Sequence, residues 1–159
     1  CDWSSDVCSS DLKPDSKLGK VTTGAQAITQ ILKTGTDVQK EIARRIRGFV
    51  GDVKVVVLEE GQALPEQLQK PRNLRHWERA RGLYVEDPAT RSRTVYLRGE
   101  SFGEDQGVNN VTVLHELLHA ATNVKISQAD NALKRGFSTD SQLVRVYGDL
   151  VRKIGRAHV

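Results

Sequence analysis

His115 and His119 stand four residues apart, with Glu116 directly after the first, in the stretch HELLH. Four residues is just over one helical turn, so on an α-helix both imidazoles leave the same face, one above the other. On a strand the same pair would also share a face but would stand about 13 Å apart. Only the helix lets two imidazole nitrogens reach one ion. Glu116, about 100° around that helix, then leans toward the ion without ligating it, as the base of a zinc hydrolase does. The motif therefore demands a helix with one face in a core and another open to a groove. Residues 13–153 hold three His and nine Glu, and random placement would give an HExxH roughly 0.004 times per chain. Two histidines that merely stack or hydrogen-bond are the bland alternative.

The two ends of the chain read as foreign to this fold. Asp6–Asp11, DVCSSD, back-translates as GAC GTG TGC TCT TCC GAT, whose reverse complement encodes Ile154–Val159, IGRAHV. Residues 1–12 and 154–159 thus resemble a translated sequencing adaptor read in opposite senses. They are set aside, leaving residues 13–153 as a domain expected to be cut at both ends. Both cysteines, Cys1 and Cys8, fall in the excluded part. The rest has no disulfide to form, which favours a reducing, cytoplasmic location. Exclusion leaves 23 basic and 17 acidic side chains, a formal charge of +6 in place of +4. That charge suits an acidic partner or nucleic acid, but the arginines are scattered, with one loose cluster at 72–81, as on a solvated basic face. No apolar run approaches the roughly 18 residues of a membrane span.

About 140 residues suit one domain with a core of its own. Ile28, Ile31 and Leu32 mark a helix near 24–33, ended by Gly35. Thr36 and Gln39 form a capping-box pattern opening a second helix with a stripe of Val38, Ile42, Ile46 and Phe49, stopped by Gly48 and Gly51. Residues 52–58, DVKVVVL, read as a buried strand. Residues 59–79, with Gly61, Pro65 and Pro71, read as a long polar connection. Residues 82–99 suggest two strands joined by a turn at Asp87-Pro88. After a loop, Asn109 or Asn110 caps the helix carrying HELLH, whose apolar stripe is read as Val111, Leu114, Leu118 and Ala121. Thr139 and Gln142 open a last helix through Leu150. Helices, a small sheet, then helices make the fold class α+β.

HELLHAAT preceded by GLYVEDPATRSRTVYLRGE resembles the zincin-like metallopeptidase domain of large phage polyvalent proteins. The order of two leading helices, a VKVVV-type strand, a hairpin and the HExxH helix is similar too, over most of 22–125. The resemblance implies a small mixed sheet with an edge hairpin beside the active-site helix. It implies that His115 and His119 ligate Zn2+, that Glu116 is the catalytic base, and that a peptide or protein is the substrate. Strand 93–98, with Val95, Tyr96 and Leu97, would be the edge along which an extended peptide lies. The domain would belong to a larger polypeptide delivered by a phage into the host cytoplasm.

A catalytic zinc takes three protein ligands, and HELLH supplies two. Thr122 and Lys125 stand where a metzincin needs Gly and His, which excludes that class. The carboxylates after Glu116 are Asp130, Asp140 and Asp149. Asp130, the nearest, is a candidate third ligand. The resemblance instead implies a Glu on a later helix, beyond Lys153, so residues 13–153 alone are expected to bind zinc weakly and to cleave little. His76-Trp77 is a candidate stacking site, with structural packing as the plainer reading. Tyr84, Tyr96 and Tyr147 are candidate oxyanion donors. The competing function is a catalytically inactive module of the same fold, serving interaction or DNA association.

Overall fold

The computed structural model describes Gly19 and residues 21–135. The adaptor-like ends, the helix expected over 139–150 and Tyr147 lie outside the described residues. Two helices open the fold, α1 (Gly24–Thr34) and α2 (Asp37–Val50). Both start on side-chain caps, the second of them predicted by the sequence pattern. Thr23 accepts the Gln26 N–H at 3.2 Å, and Thr36 and Gln39 close a reciprocal capping box at 3.3 and 3.0 Å. Gly48 does not stop α2, which runs on to Val50 with Gly51 as its C-cap. Ala43, Ile46 and Val50 turn inward while Val38 stays 66% exposed. Gly24 lets α1 touch the end of α2: a Cβ there would stand 1.9 Å from the Val50 carbonyl oxygen.

Strand β1 (Lys54–Leu58) follows. The stretch read as a polar connection instead forms two short helices, α3 (Glu66–Gln69) and α4 (Pro71–Trp77). Pro65 and Pro71 start these helices, because a proline at a helix N-terminus sacrifices no hydrogen bond and presets φ. Leu68 and Trp77 anchor them, 0% and 4% exposed. The hairpin is β2 (Gly82–Glu86) and β3 (Arg93–Arg98), with a turn in which the Ala89 N–H reaches the Asp87 carboxylate at 2.9 Å. A 3-10 helix (Glu100–Asp105) and then α5 (Asn110–Lys134) complete the described chain. Asn109 is the cap of α5, accepting the Thr112 N–H at 2.8 Å. Among the described residues no helix is long and apolar enough to cross a membrane.

The molecule is α+β, with a three-stranded mixed sheet in the order β1-β3-β2. That order corrects the expected edge. β3, not β2, is central: it pairs parallel with β1 (Val55 with Val95) and antiparallel with β2 (Tyr84 with Val95). Val95, Tyr96 and Leu97 are 0%, 6% and 0% exposed, so they cannot receive a peptide along an open edge. The physical reason is burial on both faces. Successive strand residues point to opposite sides, and here Val95 and Leu97 join the core under α1, α2 and α5 while Tyr96 joins a second core with Leu58, Leu68, Trp77 and Val85. A strand apolar on both faces gains most in the middle of a sheet.

α5 is also rotated from its expected stripe. Val113, Leu114, Leu117, Ala120 and Ala121 are buried, whereas Val111 is 58% and Leu118 43% exposed. Leu117→Ala should therefore lower the free energy of unfolding by about 2–5 kcal/mol, and Val111→Ala by no more than about 0.5 kcal/mol, measured by urea denaturation. The opposite ranking would place the core on the other face of α5.

Candidate metal and catalytic site

Of the three polar side chains of the motif, Glu116 is the buried one. It is 7% exposed, between α5 and the start of β2. Its Oε2 accepts the Tyr84 backbone N–H at 2.9 Å. Gly82 makes this approach possible, since a Cβ on it would stand 3.0 Å from the Thr112 methyl and 3.1 Å from Glu116 Cγ. Burial pushes the Glu116 carboxyl above the usual carboxylate range. His119, His115 and the Tyr84 N–H act in the opposite direction.

His115 and His119 are both on the exposed side of α5. Their Nε2 atoms converge to 3.0 Å, with the rings nearly perpendicular at 82°. That separation is a hydrogen-bond distance between the rings; two nitrogens each about 2.0–2.1 Å from a tetrahedral zinc would be roughly 3.3 Å apart, so a small separation of the same pair would admit the ion. Among the described residues no group of three His, Cys, Asp or Glu side chains is placed to hold a metal. Asp130 is corrected as a third ligand. α5 continues unbroken to Lys134, which puts Asp130 about 16 Å farther along the same helix than His119. Its carboxylate instead pairs with Lys134 at 2.6 Å.

A groove of about 700 Å³ opens beside the motif, lined by Glu116 and His119 from α5, by Leu83, Tyr84 and Glu86 from β2, and by α3–α4. The strand along it is β2, whose outer edge has no strand partner among the described residues. In an antiparallel pair alternate residues turn their polar groups outward. Arg81 bonds inward to Arg98 and Tyr84 N–H points outward to Glu116, so Tyr84 and Glu86 present the outward groups. The Tyr84 hydroxyl is shielded from solvent near Glu86 and Asn123, and burial, then the charge of Glu86, raises its pKa. Tyr96 lies in the second core, away from the groove.

His76 lines the groove opposite Glu116, whereas Trp77 beside it is buried against Phe102 with ring centroids 6.4 Å apart. The pair thus divides: Trp77 is a core residue and only His76 faces a site. Its proximity to α5 depends on how the chain returns through β2, and no local pattern signals that. Comparison with protein-family models, with curated proteins and with solved structures finds no match.

A buried carboxyl with a raised pKa makes a definite prediction for metal-free protein. The unfolded carboxyl ionises first as pH rises, so the penalty of burying the charge grows from about pH 4.3 upward and is full above the raised pKa. Glu116→Gln, which keeps an acceptor for the Tyr84 N–H, should be more thermally stable than the parent at pH 7 in chelator. Its advantage should shrink toward pH 4. An advantage independent of pH, or a Gln variant less stable at pH 7, would show that Glu116 is not buried as a charge.

Proposed function

We propose that this chain is a zinc-dependent peptidase domain of the zincin type, acting within a larger, phage-type polypeptide. The observation that carries the reading is the convergence of His115 and His119 Nε2 at 3.0 Å beside a buried Glu116 at the wall of an open groove. His115 and His119 would hold the zinc, with a third ligand from outside the described residues. When bound, zinc supplies a Lewis acid that polarises a carbonyl oxygen and lowers the pKa of water to about 7.

The residues of the chain supply the rest. Glu116 would accept a proton from the attacking water and return it to the leaving amine, and burial raises its pKa above the usual carboxylate range. The Tyr84 N–H orients that carboxylate. An extended peptide would lie along the outer edge of β2, pairing with the outward Tyr84 carbonyl and the outward backbone groups of Glu86, since the Tyr84 N–H is engaged by Glu116. This moves the proposed peptide-binding edge from 93–98 to 82–86. A non-catalytic module of the same fold would use Glu116 only as the acceptor of the Tyr84 N–H, a role that glutamine fills as well.

The test combines the zinc affinity of this chain with turnover of a peptide mixture, in excess zinc, by a longer chain that supplies the third ligand. His115→Ala and His119→Ala should each weaken zinc binding at least about tenfold. Glu116→Gln should leave affinity nearly unchanged and lower turnover by about 10²–10⁴-fold. Undiminished turnover in Glu116→Gln, or zinc affinity indifferent to both histidines, would remove the reading.

A further inference from the structure

The groove is electrically uneven. Its β2 and α5 side carries Glu86 and Glu116, and its α3–α4 wall carries Lys70, Arg72 and His76. Glu86 is already paired with Arg91 at 3.2 Å, and Glu116 is buried against Tyr84. Lys70 is close enough to Asp87 to lower its carboxyl pKa, behind the larger effect of the Ala89 N–H. Arg72 forms no ion pair among the described residues. The adjoining cavity of about 620 Å³, which shares Glu86 and Asn123 with the groove, is different. There Arg91 is answered by Glu86, Arg93 by Asp52 and Lys134 by Asp130. Unanswered positive charge is therefore concentrated on one wall of the groove, at Arg72.

That wall is built, not loose. The Arg98 guanidinium lies over the rings of Trp77 and Phe102, 5.4 and 4.8 Å from their centroids, and donates to the Trp77 carbonyl at 2.6 Å. The Asn73 amide donates to the Gln67 carbonyl at 2.7 Å, tying α4 to α3. Arg72 and His76 are one turn apart on α4 and line the groove together. Arg72 itself is exposed on this wall, and its guanidinium offers two parallel N–H donors, a geometry that matches a carboxylate.

Nucleic acid is the other anionic occupant, but sequence-tolerant strand binding relies on exposed rings for stacking. The wall's tryptophan is turned inward, 4% exposed. The β2 edge, by contrast, offers what a peptide backbone needs. We infer that the groove selects peptides bearing an acidic side chain, and that Arg72 receives that carboxylate from across the groove while the peptide lies along β2. This specificity rests on the peptidase reading only for the nature of the occupant, and it requires neither metal nor hydrolysis.

The test is fluorescence anisotropy on the whole chain in chelator, with labelled, end-blocked peptides whose central residues are all Glu, all Gln or all Lys. The Glu peptide should bind about tenfold tighter than the Gln peptide, with the Lys peptide weakest. Arg72→Glu should reverse that order. Arg44→Glu, an equal charge change on α2, should leave it intact. Equal affinity for the three peptides, equal effects of the two variants, or an oligonucleotide that outcompetes the Glu peptide would overturn the assignment. Acidic preference together with zinc affinity indifferent to both His115 and His119 would uphold it while removing the peptidase reading.

Discussion

One hydrogen bond joins the two halves of the site: the Tyr84 N–H to Glu116 Oε2, at 2.9 Å. It spans the contact between the last described helix and the edge strand, and it gives a buried carboxylate a main-chain donor. Moving α5 away from β2 would strand both partners, each at the penalty of an unmet buried polar group. The bond also sets the rotation of α5. With Glu116 held inward beside Gly82, Leu117 and Val113 fall into the main core and His115 and His119 remain outside. The exposure of Val111 and Leu118 follows from the same rotation.

The second constraint is the central position of β3. Because β1 and β2 flank it, β2 is left as the strand beside the motif, and the short helices α3 and α4 pack under β2 to form the opposite wall. Arg98, at the end of β3, fastens that wall through Trp77. The central strand thus positions both sides of the groove without contributing a side chain to its lining.

What was legible in the sequence was local. The capping box at Thr36 and Gln39, the cap at Asn109, the hairpin turn at Asp87 and the HELLH helix each depend on residues within one turn of chain. What was not legible depended on distant segments. Either hairpin strand could have been the edge, and only the pairing of β1 with β3 decided it. The run from Val111 to Ala121 is so rich in apolar residues that two stripes compete, and the buried Glu116 selected between them. The length of α5 had a usable signal: no glycine or proline interrupts residues 110–135, and Gly136 follows, which argues against a turn bringing Asp130 back to His119. The wall formed by Arg72 and His76 had no such signal, since its prolines read equally well as a loop.

The central claim is that His115 and His119 act as a metal-binding pair. It is tested most directly by X-ray absorption at the zinc edge, with protein in excess over zinc. The account predicts two imidazole nitrogens at about 2.0–2.1 Å, with one lost in His115→Ala and one in His119→Ala, and both kept in Glu116→Gln. A shell of oxygen alone, or a spectrum unchanged by either histidine substitution, would contradict it.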